Sequence, residues 1–118
     1  MAYVDGFLIA VPRKKMKSYE KMAREGKKMW MKLGALDYKE CVADDIKAKW
    51  GTTPLSTVMK LKPGETVIFS YILYKSRAHR DRVNAKIMQQ MKETSQPTDM
   101  PFAMKRMTYG GFKVIVSS

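Results

Sequence analysis

An α+β fold with the element order β-α-β-β-α-β is what this sequence predicts, on three observations. Four short runs rich in aliphatic and aromatic residues alternate with two longer stretches whose apolar residues recur at helical spacing. At 118 residues the chain has the length of one domain, expected over 1–118, and is long enough to bury a core. Two strand–helix–strand units in that order favour a four-stranded sheet with both helices on one face, the ferredoxin-like arrangement.

The first strand is expected at Tyr3–Val11 and is stopped by Pro12, which has no N–H to give to a ladder. Alternation puts Tyr3, Asp5, Phe7, Ile9 and Val11 on one face, and Val4, Gly6, Leu8 and Ala10 on the other. Both faces are mainly apolar, as in a strand covered on both sides. The first helix is expected from Met16 to Leu33, with Met16, Tyr19, Met22, Ala23, Met29, Trp30 and Leu33 on one arc and Gly34 placed to cap it. The second strand, Ala35–Ala43, sets Leu36, Tyr38, Glu40 and Val42 against Asp37, Lys39 and Cys41. The stretch 46–64 is less patterned and predicts one short helical turn at Pro54–Met59.

Thr66–Tyr74 is the most apolar strand, again on both faces, so alternation alone leaves open whether Ile68 or Phe69 points outward. The second helix runs from Arg77 to about Met91, capped by Ser76, with a stripe of Val83, Ile87 and Met91 and with Asn84 at its edge. Lys92–Pro101 is rich in turn formers and is expected to be loop. The last strand, Met107–Val116, contains Gly110-Gly111, which marks a bulge or a close approach of backbone.

Two helices cover one sheet face only, and the other also carries large apolar residues. A second copy packing sheet against sheet is the expected cover, giving a homodimer. The competing arrangement folds the stretch 46–64 across that face. The single cysteine, Cys41, allows no intramolecular disulfide and no zinc framework of the usual kind, so a cytoplasmic protein is expected. The longest apolar run, Phe7–Val11, is five residues, which excludes a membrane-spanning helix. Met1–Asp5 lacks the basic start of a signal peptide, so no export is expected.

Several stretches together resemble a known family. Tyr3-Val4-Asp5-Gly6-Phe7 with Ala10-Val11-Pro12, then Glu40-Cys41, Asp44-Asp45 and Phe69-Ser70, then Met100-Pro101-Phe102, Lys105-Arg106-Met107 and Tyr109-Gly110-Gly111-Phe112, are similar to the YbaA-like proteins. These are small bacterial proteins of unknown function within the dimeric α/β-barrel superfamily. The resemblance runs from Tyr3 to about Ile115 and implies a homodimer whose two sheets face each other as a barrel. It implies no particular reaction, although superfamily relatives include cofactor-independent monooxygenases, haem-degrading enzymes and lactone isomerases. The chain departs from the family pattern at Val42, where Trp follows the Glu-Cys pair, and at Ala103, where Asp follows Met-Pro-Phe.

Asp5 and Glu40 are the candidate catalytic carboxylates, because each interrupts an otherwise apolar strand face, where an unpaired charge is costly. A carboxylate in a pocket can act as general acid or base. The structural alternative pairs them with Lys105, Arg106 or backbone N–H groups. Ser70 and Arg106 join them as catalytic candidates, with Tyr71 and Tyr109 as ligand-binding ones, on the expectation that all line one cavity. His79, the only histidine, stands among arginines without a nucleophile or acid in readable spacing, and reads as a surface residue. No metal site, haem ligand set or nucleotide-binding glycine motif is present, and no cofactor is expected. The eleven methionines read as core filling or as an adaptable pocket lining.

The charge is the other strong signal. There are 23 Lys and Arg against 11 Asp and Glu, a net +12. Residues 13–32 alone hold nine Lys and Arg against two Glu. A cationic arc of this kind either keeps the protein soluble or binds polyanions, with Lys21, Lys28 and Lys32 the nucleic-acid candidates. Two functions therefore compete: a small-molecule-binding or catalytic barrel with a pocket between sheet and helices, and a nucleic-acid-binding protein that uses its basic helix.

Overall fold

The structure, a computed structural model, describes residues 1–93 and 100–118. Its strands are β1 (Tyr3–Pro12), β2 (Asp37–Val42), β3 (Glu65–Tyr74) and β4 (Met107–Lys113). Its helices are α1 (Met16–Lys32), the single turn α2 (Leu55–Val58) and α3 (Arg77–Glu93), with 3-10 turns at Arg13–Lys15 and Met104–Arg106. The sheet is antiparallel throughout, in the order β2-β3-β1-β4, with the two most apolar strands in the centre. This is the ferredoxin-like α+β arrangement that the element order predicts.

Local chemistry explains the helix ends. Gly34 takes a φ of +120°, and the N–H groups of Gly34 and Ala35 bond back to the carbonyls of Met31 and Trp30. The crossed pair closes the end of α1 in a Schellman motif, which a residue with a side chain closes less easily. At the start of α3 the Ser76 hydroxyl accepts from the His79 N–H at 3.1 Å, the cap expected for that position.

The odd-numbered residues of β1 face the helices. Tyr3, Ile72 and Tyr74 pack with Val83, Ile87, Met29 and Trp30, while Ile9, Val11 and Ile68 pack with Tyr19, Ala23 and Phe102. Ile68 is therefore the inward residue, and its neighbour Phe69 points out. On that outer face Ala10 and Val67 are covered by Met59, Leu55 and Leu61. The stretch 46–64 thus folds over one end of the outer face. Among the described residues nothing covers the remainder, where Phe69 is 49% and Phe112 60% exposed.

Some expectations change in detail. The last strand ends at Lys113 rather than Val116, because β1 offers it partners only back to Tyr3; Ile115 and Val116 are exposed. Gly110-Gly111 makes no bulge, since the β1–β4 register is unbroken from Tyr3 to Ile9. It marks close approach instead: a Cβ on Gly111 would collide with the Tyr3 ring, and the Phe112 ring lies against Gly6 and Gly110. Lys92 and Glu93 extend α3 rather than starting the loop, of which 94–99 lie outside the described residues.

Candidate functional site

Glu40 lies on the helix-facing side of β2, half-buried, at the floor of a cleft between β2 and α1. Two phenols hold it. The Tyr19 hydroxyl donates to Oε1 at 2.6 Å, and the Tyr38 hydroxyl donates to Oε2 at 2.7 Å. Tyr19 comes from the buried arc of α1, while Tyr38 is the strand neighbour two residues away on the same face. Burial, reinforced by the hydrogen bond to Glu40 and its charge, pushes the Tyr19 phenol well above its ordinary range; burial and the Glu40 charge do the same for Tyr38. Both tyrosines therefore stay protonated and act as donors. The cleft, about 290 Å³, has apolar walls at Met16, Ala23, Val42 and Ile68, with Glu20, Arg24 and Lys27 at its polar side. Arg24 is engaged with Glu20 at 3.5 Å in a solvent-exposed pair.

Gly26 explains how α1 comes close enough. A Cβ there would lie 2.9 Å from the Tyr38 hydroxyl oxygen. Glycine inside a helix costs about 1 kcal/mol relative to alanine. Here it makes room for a tyrosine that reaches the carboxylate.

Asp5 belongs to a separate site at the other end of the same face. It is 1% exposed and accepts from Arg80 Nη1 at 2.8 Å, from the Tyr109 hydroxyl at 3.2 Å and from Asn84 Nδ2 at 3.4 Å. The Arg80 guanidinium also donates to the Tyr109 hydroxyl, lies 4.9 Å from the centre of the Tyr3 ring, and reaches Asp81 through Nε. Trp30 and Tyr74 each donate to the Asn84 carbonyl oxygen at 3.3 Å. Burial and the Asp5 charge raise the Tyr109 pKa, so its proton stays on to donate. Each Asp5 oxygen has a donor, as a buried carboxylate needs. This network joins β1, β4 and α3.

The expected single cavity is not what forms. Asp5 and Tyr109 share one site; Glu40 occupies another, with Ser70 beside it in register on β3. Tyr71 lies on the opposite sheet face, where its hydroxyl donates to Asp37 at 3.3 Å, because adjacent strand residues point to opposite sides. Arg106 is remote from both carboxylates. It donates to the carbonyls of Met59 and Lys60 and to Glu65, pinning the covering segment to the start of β3. Neither Asp5 nor Glu40 takes Lys105 or Arg106 as partner; arginine and tyrosines from the helices and β2 do that instead. His79 is half-buried, accepting the Lys75 N–H on Nδ1 at 3.0 Å and meeting the Tyr74 ring edge-on. Asp45 of the Asp44-Asp45 pair bonds to Lys49. Lys21, Lys28 and Lys32 are exposed on the outer side of α1.

Arg80 and Asn84 are the residues that reading the sequence missed. Their signal was present: both fall on the same helical stripe as Val83, Ile87 and Met91, where a charged side chain needs a buried partner. Gly26 in a lysine-rich helix was the corresponding signal for the Tyr38 approach.

Among the described residues no helix is long and apolar enough to cross a membrane. A solved structure described as a dimeric ferredoxin-like protein, from an uncultured marine organism, aligns over 100% of both chains with a TM-score of 0.58 and 12% identity, a likeness that shows the fold. The chain is 39% identical over 116 residues to the uncharacterized protein YbaA of Escherichia coli strain K12 and to that of Shigella flexneri, covering 98% of this chain and of each relative. Residues 2–104 match the family model described as "Protein of unknown function (DUF1428)". With that match and 39% identity to YbaA over nearly the full length, the chain belongs to the DUF1428 family, as its YbaA-like sequence stretches anticipate.

Proposed function

We propose that this protein binds a small organic molecule in the cleft between α1 and β2, with Glu40 as the recognising group. The observation that carries this reading is a carboxylate held by two tyrosine hydroxyls at the floor of an open, apolar-walled cleft of about 290 Å³. A carboxylate has about four acceptor positions, so two tyrosines leave room for a ligand donor. Lys27 at the mouth suits an acceptor or anionic group on the same ligand. The chemistry on offer is hydrogen bonding and proton transfer at Glu40, with Ser70 beside it; no cofactor is invoked. Asp5, Arg80 and Tyr109 serve as the fold's internal anchor.

In this reading one domain pairs with a second copy through its outer sheet face, as a cytoplasmic homodimer. Exposed Phe69 and Phe112 support that, as does the structural neighbour described as a dimeric ferredoxin-like protein. A magnetic-resonance screen of small hydroxy and amino acids tests the ligand reading. Binders should shift the signals of Glu40, Tyr19 and Tyr38, and Glu40→Gln should weaken them at least tenfold. Binders that leave those signals unmoved would sink it.

A second reading rests on the exposure of Lys21, Lys28 and Lys32 on one arc of α1. That arc presents positive charge without disturbing the apolar stripe beneath, as nucleic-acid binding through phosphates requires.

A further inference from the structure

A second cleft, of about 370 Å³, opens between the end of β1, the start of β3 and the segment leading into β4. Its polar lining is one-sided. Lys15, Lys62, Lys105 and Arg106 face one carboxylate, Glu65. That carboxylate is already committed: it accepts from the Lys62 backbone N–H at 2.8 Å and from Arg106 Nη2. The Lys62 N–H bond foremost, with Arg106 adding to it, keeps the Glu65 carboxyl below its usual range, so it stays charged at neutral pH. Arg106 also donates from Nη1 to the Met59 carbonyl at 3.2 Å and from Nη2 to that of Lys60 at 3.1 Å. Its Nε alone is buried with no hydrogen-bond partner among the described residues. Among those residues neither Lys62 nor Lys105 takes part in an ion pair.

A guanidinium held rigidly by three oxygens, with a spare buried N–H, is an incomplete hydrogen-bond set, which folded proteins seldom leave unfilled. The lysine ammonium groups beside it, Lys62 and Lys105 with Lys15 also in the lining, are point charges suited to a compact anion of charge near −2, whereas a planar carboxylate is better met by an open arginine fork. Phe102 and Pro101 add an apolar wall.

We propose that this cleft binds the phosphate group of a small phosphomonoester, between Lys62, Lys105 and Arg106, with its organic part against Phe102 and Pro101. The site neighbours the Glu40 cleft, the Phe102 ring lying 5.9 Å from that of Tyr19, but it uses other polar groups and does not require a ligand there.

Phenyl phosphate is the probe, titrated into the intact protein at constant ionic strength and followed by amide shifts and by the melting temperature. Saturable binding that moves the Lys62, Lys105 and Arg106 signals is expected, tighter than inorganic phosphate and at least tenfold tighter than benzoate. Lys62→Gln with Lys105→Gln should weaken it at least tenfold without lowering the melting temperature of the free protein. Should the double variant fold poorly, each single lysine variant should still weaken binding about threefold, since roughly half the charge contribution remains. Lys21→Gln with Lys28→Gln and Lys32→Gln, and separately Glu40→Gln, should leave it unchanged. Equal affinity for benzoate, an unaffected lysine variant, or loss in the triple α1 variant would each overturn the proposal, the last by showing attraction to the basic surface at large.

Discussion

The carboxylate of Asp5 and the guanidinium of Arg80 meet at 2.8 Å beneath α3, although 75 residues separate them in the chain. Their side chains are only 2% and 12% exposed, so neither charge is screened by bulk water. Removing one partner strands the other. Asp5→Asn is expected to cost about 3–5 kcal/mol, measured as a shift in the urea midpoint at unchanged slope. Arg80→Met should cost a similar amount, and the two together less than their sum, because no charge is then left unpaired.

Glu40 should respond differently. It is half-buried, and its partners are neutral phenols rather than a cation. An amide keeps an acceptor for one tyrosine, so Glu40→Gln is expected to cost about 1–2 kcal/mol. Comparable losses for Asp5→Asn and Glu40→Gln in the same urea experiment would contradict the division into an anchor and a ligand-facing group.

That division was only partly legible in the sequence. Pro12, the alternation in β1 and the helical spacing of α1 follow from local geometry, and alternation places Asp5 and Glu40 on otherwise apolar strand faces. Which face is inward does not follow from alternation when both faces are apolar, and Ile68 and Phe69 could not be told apart for that reason. Tyr38 stands two residues from Glu40, a relationship any strand enforces. The Tyr19 contact depends instead on how closely α1 approaches β2, which Gly26 sets. Arg80 and Asn84 lie on or at the edge of the apolar stripe of α3, but helical spacing alone does not name Asp5, a residue of β1, as their partner.

The phenols of Tyr19 and Tyr38 make a pH prediction. A free tyrosine ionises near pH 10, and both are raised above that by burial and by the Glu40 charge. Above about pH 10 the unfolded chain releases these protons while the folded chain keeps them. Their contribution is therefore fully present below that pH and is lost as the pH rises. Stability should fall on the alkaline side, and Tyr19→Phe should reduce that slope by about 1.4 kcal/mol per pH unit, one proton's worth. Alkaline urea titrations with matching slopes for wild type and variant would contradict it.

Assembly can be tested by the contrast between adjacent residues. Phe69 is 49% exposed on the outer face, whereas Ile68 is sealed under the helices. Phe69→Asp should keep the fold and convert a dimer of about twice 13.6 kDa into a monomer in sedimentation. Ile68→Asp should unfold the chain at any concentration, since it buries an unpaired charge. A wild-type monomer at micromolar concentration would leave the outer face as the solvent-facing side of a single chain.

The basic arc of α1 separates the two functional readings most directly. Lys21, Lys28 and Lys32 are exposed, and replacing them with glutamine removes three charges without touching Tyr19 or Ala23 on the buried side. If the arc binds nucleic acid, affinity comes largely from counterion release, so the triple variant should bind more weakly and with a shallower salt dependence. Weak binding near ~10⁻⁵ M at physiological salt would carry no information, because any chain of net charge +12 attracts polyanions. A preference among RNA or DNA shapes that survives that salt, and disappears in the triple variant, would establish the nucleic-acid reading. Sequence-blind binding that vanishes by about 0.2 M salt would leave the arc as a solubilising surface, with recognition left to the cleft over Glu40.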